Sequence, residues 1–195
     1  MYSVRRVGRG PRSAIFFHGL YSSSGIWVDS IDAFDGYRKV FVDIDYPRVC
    51  DGIGFDALVG DLRDLLAEDC SIAVSHSFGT VVQHALGLRR AHDVFICPPY
   101  LAERFDRDSF VDYLSGAVQP SERESIARVV DWAVEVSRAR VTSDLACGTV
   151  VAPLDDEFFE FGSPTAGILR FRGGHAQASG ALESLRKQGR LLPGL

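Results

Sequence analysis

Short apolar runs alternate with helical patterns along most of this chain. Residues 2–7 predict a first short strand, followed by a turn at Gly8-Arg9-Gly10-Pro11. Further strands are predicted at residues 14–18, ended by Gly19, and at 39–44, stopped by Pro47. Later ones follow at 70–74, at 93–97 before Pro98-Pro99, at 148–152 and at 168–171. Between them lie helical spacings. Trp27, Ile31 and Phe34 share one face of a short helix over 27–34. Phe55, Leu58, Val59, Leu62, Leu65 and Leu66 make 55–69 amphipathic. Residues 80–88 and 176–188 complete the set. The strand runs are apolar throughout rather than alternating, so both faces must be covered. That predicts an α/β fold with a mostly parallel central sheet and helices on both faces.

One region breaks the alternation. Residues 100–145 hold no convincing strand, whereas 108–114 and 121–138 read as helices. Pro120-Ser121-Glu122-Arg123-Glu124 resembles a helix entry, with Ser121 as N-cap and Glu124 three residues on. Ile126, Val129, Val130, Ala133 and Val134 form its apolar stripe. The segment is longer than a simple crossover needs, and 100–145 is predicted to be a small helical lid inserted in a single domain spanning 1–195.

Composition narrows the possibilities. A chain of 195 residues, 46% of them hydrophobic, suits one domain with a real core. No apolar run approaches the roughly 18 residues that span a membrane, and the N-terminus lacks an apolar stretch before a cleavage site, so a soluble, cytoplasmic protein with no membrane partner is expected. The net charge is −5 and no basic stripe occurs, which argues against nucleic acid as a partner. Cys50, Cys70, Cys97 and Cys147 form no C-x-x-C pair and have no histidine at metal spacing, so they read as free thiols, with no metal site. Oligomeric state is left open.

The stretch Ser75-His76-Ser77-Phe78-Gly79 carries the chemistry. It joins a predicted buried strand to a predicted helix, the setting of a nucleophile elbow. So sharp a turn pushes the hydroxyl of Ser77 above the sheet, while the N–H groups of the following helix point at the same place. Ser75 stands where glycine is usual. A serine hydroxyl needs a base, and a histidine base needs a carboxylate to set its tautomer. In such sheets these groups gather at the carboxyl ends of strands. His175 follows the last strand through Arg172-Gly173-Gly174, whose glycines let the backbone return over the elbow. Asp155 and Asp156 both follow the strand at 148–152; Asp156, leading into Glu157-Phe158-Phe159, is the preferred acid and Asp155 the alternative.

With Ser77, Asp156 and His175 in that order, the chain resembles an α/β-hydrolase over nearly its whole length. His18-Gly19-Leu20 is similar to the family's oxyanion loop, Trp27 to the tryptophan downstream of it, and Asp45-Tyr46-Pro47 to the turn after the next strand. The resemblance implies an oxyanion hole made by the backbone N–H groups of Leu20 and Phe78. Tyr21 and His76 are the candidates to border the substrate, His76 pointing away from the serine in a structural role. It implies that His18 shapes its loop, and that His84 and His92 are ordinary helix or surface residues. Phe110, Tyr113, Trp132 and Phe158 are candidates for either pocket lining or core. No cofactor is implied. The expected reaction is cleavage of an acyl ester or thioester, small-molecule or carrier-bound, through an acyl-enzyme on Ser77. A non-hydrolytic reaction of the same site (acyl transfer, cyclisation or lyase chemistry) and a non-catalytic small-molecule-binding role are the alternatives. The short lid suggests an open site that admits a long or carrier-bound acyl chain.

Overall fold

The computed structural model describes residues 1–66, 70–87, 90–116, 120–141, 148–162 and 168–191, with the backbone alone at 70, 90 and 120. Cys147, and parts of the predicted segments at 55–69, 80–88 and 100–145, lie outside the described residues. The elements are β1 (Tyr2–Val7), β2 (Arg12–Phe17), a 3-10 helix (Ser24–Phe34), β3 (Tyr37–Ile44) and the short α1 (Tyr46–Arg48), continued by a π-helical turn (Val49–Ile53). Then come α2 (Gly54–Leu65), β4 (Cys70–His76), α3 (Gly79–Leu86), β5 (Arg90–Ile96) and a 3-10 turn (Pro99–Leu101). β6 (Arg104–Phe105), α4 (Arg107–Ser115), a 3-10 turn (Pro120–Glu122) and α5 (Arg123–Arg140) follow. The chain continues through β7 (Gly148–Pro153), β8 (Phe159–Glu160), β9 (Ile168–Phe171) and α6 (Ala178–Lys187).

Seven strands form one sheet in the order β1-β3-β2-β4-β5-β7-β9, parallel except for β1. From β2 the chain moves outward to β3, then returns to place β4 on the other side of β2. The order of winding therefore reverses between β2 and β4, so that the helices following them pack in different layers, and a site is expected at the carboxyl ends of these two strands. The register puts Phe17 beside Ser75.

Burial explains the unbroken apolar runs. On β2 the five residues Ser13 to Phe17 are all buried. Phe16 meets Trp27 and Phe34 of the first 3-10 helix at ring separations of 5.6 and 5.0 Å, and stacks on Phe41 of β3 at 5.2 Å. Its neighbours Ile15 and Phe17 point to the opposite face. α6 packs with the 3-10 helix on one layer, while α2, α3 and α5 pack together in another. Among the described residues, no helix is long and apolar enough to cross a membrane.

Two sequence expectations need correction. The segment predicted to be strand-free contains β6, which pairs antiparallel with β8 through Arg104–Glu160 and Phe105–Phe159. Two residues are too few to leave an apolar pattern; their stability comes from the stack of Phe105 on Phe159, with centroids 4.6 Å apart. Ser121 does not cap α5. It lies inside the 3-10 turn, and α5 starts after Glu122 without a side-chain cap. A tight turn running directly into the helix supplies the entry instead, because its own i→i+3 bonds take up polar groups that a cap would otherwise satisfy. By contrast Asp106, not singled out from the sequence, caps α4 by accepting from the N–H and the hydroxyl of Ser109 at 3.1 and 3.0 Å. Asp106→Ala is therefore expected to lower the melting temperature, and Ser121→Ala to leave it unchanged, in paired thermal melts.

Candidate active site

The elbow combines one strained residue with two close backbone approaches. Ser77 has φ of 50°, a left-handed conformation that costs a non-glycine residue backbone energy. Gly79 opens α3 so near to β2 that a Cβ there would lie 2.5 Å from the His18 carbonyl oxygen and 2.7 Å from that of Phe17. Gly19 faces the turn from the other side, where a Cβ would stand 2.8 Å from Cβ of Ser77. Ser75 fits under the turn in place of glycine. It is fully buried, with its Oγ 3.5 Å from the Val94 carbonyl of the neighbouring strand.

Three side chains distant in sequence meet above this turn. Ser77 Oγ lies 3.0 Å from His175 Nε2, and His175 Nδ1 lies 2.9 Å from Asp156 Oδ2. A carboxylate can only accept, so Nδ1 carries the ring proton and Nε2 turns its lone pair to the serine hydroxyl, which donates to it. The other oxygen of Asp156 accepts the N–H groups of Phe158 and Phe159 at 3.0 and 2.9 Å. Of the two aspartates considered, Asp156 is thus the one that reaches the histidine. Asp155 is exposed.

His175 is held by its backbone as well as its ring. Its N–H donates to Glu157 Oε2 at 2.9 Å, and its carbonyl accepts from His76 Nε2 at 2.8 Å. The thiol of Cys97 lies 3.9 Å from the same carbonyl. Phe159 stacks on the ring at 4.8 Å, with Phe110 and Phe158 edge-on at 5.8 and 6.0 Å. Gly174 lies close beside this grip; a Cβ there would stand 2.2 Å from Glu157 Oε1, so a larger residue would displace the carboxylate that holds the His175 N–H. Sequence reasoning missed Glu157, Phe159 and Cys97. Glu157 and Phe159 carried a local signal, since they are the immediate neighbours of Asp156. Cys97 carried none, because its approach depends on where β5 ends.

The remaining predicted residues fall as follows. Leu20 and Phe78 both border the space around Ser77, and no hydrogen bond engages the N–H of either among the described residues. Tyr21, with φ of 51° and 39% exposure, rims the cleft; partial burial pushes its phenol up to about 12. His76 borders the same cleft but is buried beneath it, engaged with the His175 carbonyl rather than with Ser77. His18 accepts the Ile44 N–H on Nε2 at 2.9 Å and donates from Nδ1 to the Gly19 carbonyl at 2.7 Å, while Tyr46 donates its hydroxyl to the His18 carbonyl. These bonds shape the loop after β2. His84 lies in the last turn of α3 and His92 on β5. Phe110 and Tyr113 line the cleft. Trp132 packs instead between Phe55 and Phe78, and Phe158 against Phe110, Tyr113 and His175.

His76, Cys97 and His175 bring potential metal-binding atoms within 4.8 Å of one another. His76 Nε2, Cys97 Sγ and His175 Nε2 make the contacts already described, His76 Nδ1 is buried without a hydrogen-bond partner, and burial pushes the Cys97 thiol well above its ordinary range.

No family model matches the chain, and no curated protein matches it in sequence. Solved structures match along its length. An α/β hydrolase fold protein from Burkholderia ambifaria aligns with a TM-score of 0.61 at 15% identity, over 96% of this chain and 93% of that one. A variant epoxide hydrolase from Bacillus megaterium, complexed with its product, gives 0.63 at 13% identity over 96% of both chains. A thermophilic esterase from Thermogutta terrifontis gives 0.58 at 13% identity, over 97% of this chain and 91% of that one. The chain has the α/β-hydrolase fold.

His76 supplies a test of how this site responds to acid. Burial, reinforced by the neighbouring His175 ring, pushes it down to about 3 from an ordinary 6.5. Between those values the unfolded chain binds the proton and the folded one does not. Its contribution to stability is complete above about pH 6.5 and is lost progressively as the pH falls toward 3. Burial lowers His18 as well, adding in the same direction. His76→Gln retains a donor for the His175 carbonyl but cannot titrate. Thermal melts across the acid range are expected to fall less steeply for this variant than for the wild type; equal slopes would remove His76 as a source of acid lability.

Proposed function

We propose that this chain is a serine hydrolase that cleaves an ester or thioester of a small-molecule or carrier-bound acyl group. The observation that carries the reading is the unbroken line from Ser77 Oγ through His175 to Asp156, at 3.0 and 2.9 Å. In this reading Ser77 attacks the acyl carbon while its proton passes to His175 Nε2. Asp156 holds the tautomer and stabilises the imidazolium. The N–H groups of Leu20 and Phe78 receive the oxygen on which charge develops; losing such a donor costs about 3 kcal/mol of transition-state stabilisation. The carbon–oxygen or carbon–sulfur bond then breaks, the leaving group takes the proton from Nε2, and water, activated by the same nitrogen, releases the acid from Ser77.

The identity of residue 77 also bears on the choice among hydrolase chemistries. Several proteins of similar fold are epoxide hydrolases or dehalogenases. Those reactions displace at a saturated carbon. A serine that did so would be left as an ether, which water does not cleave under mild conditions. A serine that attacks a carbonyl is left as an ester, which water does cleave. Serine at the elbow therefore favours acyl chemistry, as in the esterase and the lactonase of similar fold. A small lid formed from the helices α4 and α5 would exclude water from the aromatic shell around His175.

The reading is tested by labelling with a fluorophosphonate and by hydrolysis of p-nitrophenyl esters and acyl-CoA thioesters. Covalent labelling and turnover are expected, both lost in Ser77→Ala. Labelling without release of acid to water, or transfer of the acyl group to an added alcohol in preference to water, would overturn the hydrolytic assignment. Asp156→Asn is expected to lower kcat by about 10⁴-fold, the scale found when a triad histidine is left in the wrong tautomer. Glu157→Ala removes the acceptor that anchors the His175 backbone. It is expected to lower kcat on the order of tenfold to a hundredfold with KM unchanged. Glu157→Gln, whose amide oxygen still accepts, is expected to recover most of the rate.

A further inference from the structure

We infer that the site is divided into a short acyl pocket and a larger leaving-group cleft, so that its substrates are esters of acids of about two or three carbons carrying a bulkier alcohol or thiol. The inference rests on the serine hydrolase reading and adds to it the substrate class.

Two cavities meet at Ser77, with Leu20 and Phe110 also bordering both. The larger, about 210 Å³, is lined by Tyr21, Ser22, Ile26, Tyr113, His175 and Ala176. The smaller, about 30 Å³, lies on the other side under α5, among Phe78, Phe105, Val130, Val134 and Phe159. Proton transfer decides which is which. When the tetrahedral adduct collapses, the leaving atom must take a proton from His175 Nε2, so it has to lie within hydrogen-bond reach of that nitrogen. Of the two cavities only the larger includes His175. The leaving group therefore occupies that side, and the acyl substituent, on the opposite side of the carbonyl carbon, enters the smaller cavity.

Size and polarity then set the acyl group. A cavity of about 30 Å³ has room for only a couple of water-sized groups. Its side walls are rings and methyl groups, with the Ser137 hydroxyl already donating to the Ala133 carbonyl at 2.7 Å. A charged or hydrogen-bonding acyl tail would lose its hydration there without replacement. The fit is to an unbranched apolar acyl group of acetyl or propanoyl size, in place of the long chain that a short lid suggests. Tyr21 is exposed at 39%, and its phenol, pushed up to about 12, remains a neutral donor at the open rim, suited to a polar leaving group.

The experiment is a chain-length series. kcat/KM is measured for p-nitrophenyl acetate, propanoate, butanoate, hexanoate and octanoate on the intact protein, with fluorophosphonate labelling of Ser77 run in parallel. Acetate and propanoate are expected to be the best substrates, with a fall of roughly tenfold for each methylene the pocket cannot hold. Val134→Ala removes two methyl groups from the wall at a half-buried helix position and is expected to raise the hexanoate-to-acetate ratio by about tenfold. With the acyl group held as acetate, 2-phenylethyl acetate is expected to be cleaved with a higher kcat/KM than ethyl acetate, whose leaving alcohol is of similar acidity but smaller; equal values would remove the larger cleft as the leaving-group side. A flat or rising profile toward octanoate on a protein whose Ser77 is labelled would overturn the pocket assignment while leaving the serine mechanism standing. A Ser77 that takes no label, with no ester cleaved, would overturn the hydrolase reading and this inference with it.

Discussion

The site depends on how closely the end of β2 can approach the start of α3. At Gly79 and Gly19 the two segments are so near that a single methyl group on either would collide with backbone or with the Ser77 side chain. The approach brings the loop after β2 alongside the turn after β4. It also leaves Leu20 and Phe78 bordering the same cavity as Ser77. Neither glycine acts on a substrate. Their contribution is the absence of a side chain, which lets two pieces of backbone come together that would otherwise stand apart.

Around that contact the molecule stores local strain at strand ends. The three non-glycine residues with positive φ among the described residues are Tyr21, Ser77 and Cys97. They follow β2, β4 and β5, which are adjacent in the sheet. Each turns the chain abruptly at the carboxyl edge, and each borders the site or touches His175. The cost of such conformations, on the order of 1 kcal/mol or more each, is supported by the sheet behind them, where β2, β4 and β5 are central and buried on both faces.

The run Asp156-Glu157-Phe158-Phe159 shows how much a short loop can do once its ends are anchored. Asp156 accepts from the ring of His175, Glu157 from its backbone N–H, and the two phenylalanines pack on its faces and edges. The N–H groups of the same phenylalanines bind the second oxygen of Asp156. Acid, backbone clamp and apolar shell are thus four consecutive residues. The His76 ring beneath completes the enclosure and remains neutral, because burial disfavours its charged form.

Much of this was legible in the sequence. Continuous apolar runs identified the parallel sheet, because strands covered on both faces cannot alternate. The serine two residues before a glycine marked the strand-to-helix turn, and the glycines before His175 marked a loop able to fold back. Those signals are local, carried by residue type and spacing. Other features became visible only in three dimensions. The hold of Glu157 on His175, the pairing of β6 with β8 and the replacement of the Ser121 cap by a 3-10 turn all depend on which segments meet. The division of the cleft into two unequal cavities depends on the seating of α5 over Ser77. A linear pattern reports what each residue prefers by itself. Distances between residues nearly a hundred positions apart, such as Ser77 and His175, are set by the packing of the whole sheet and its helices.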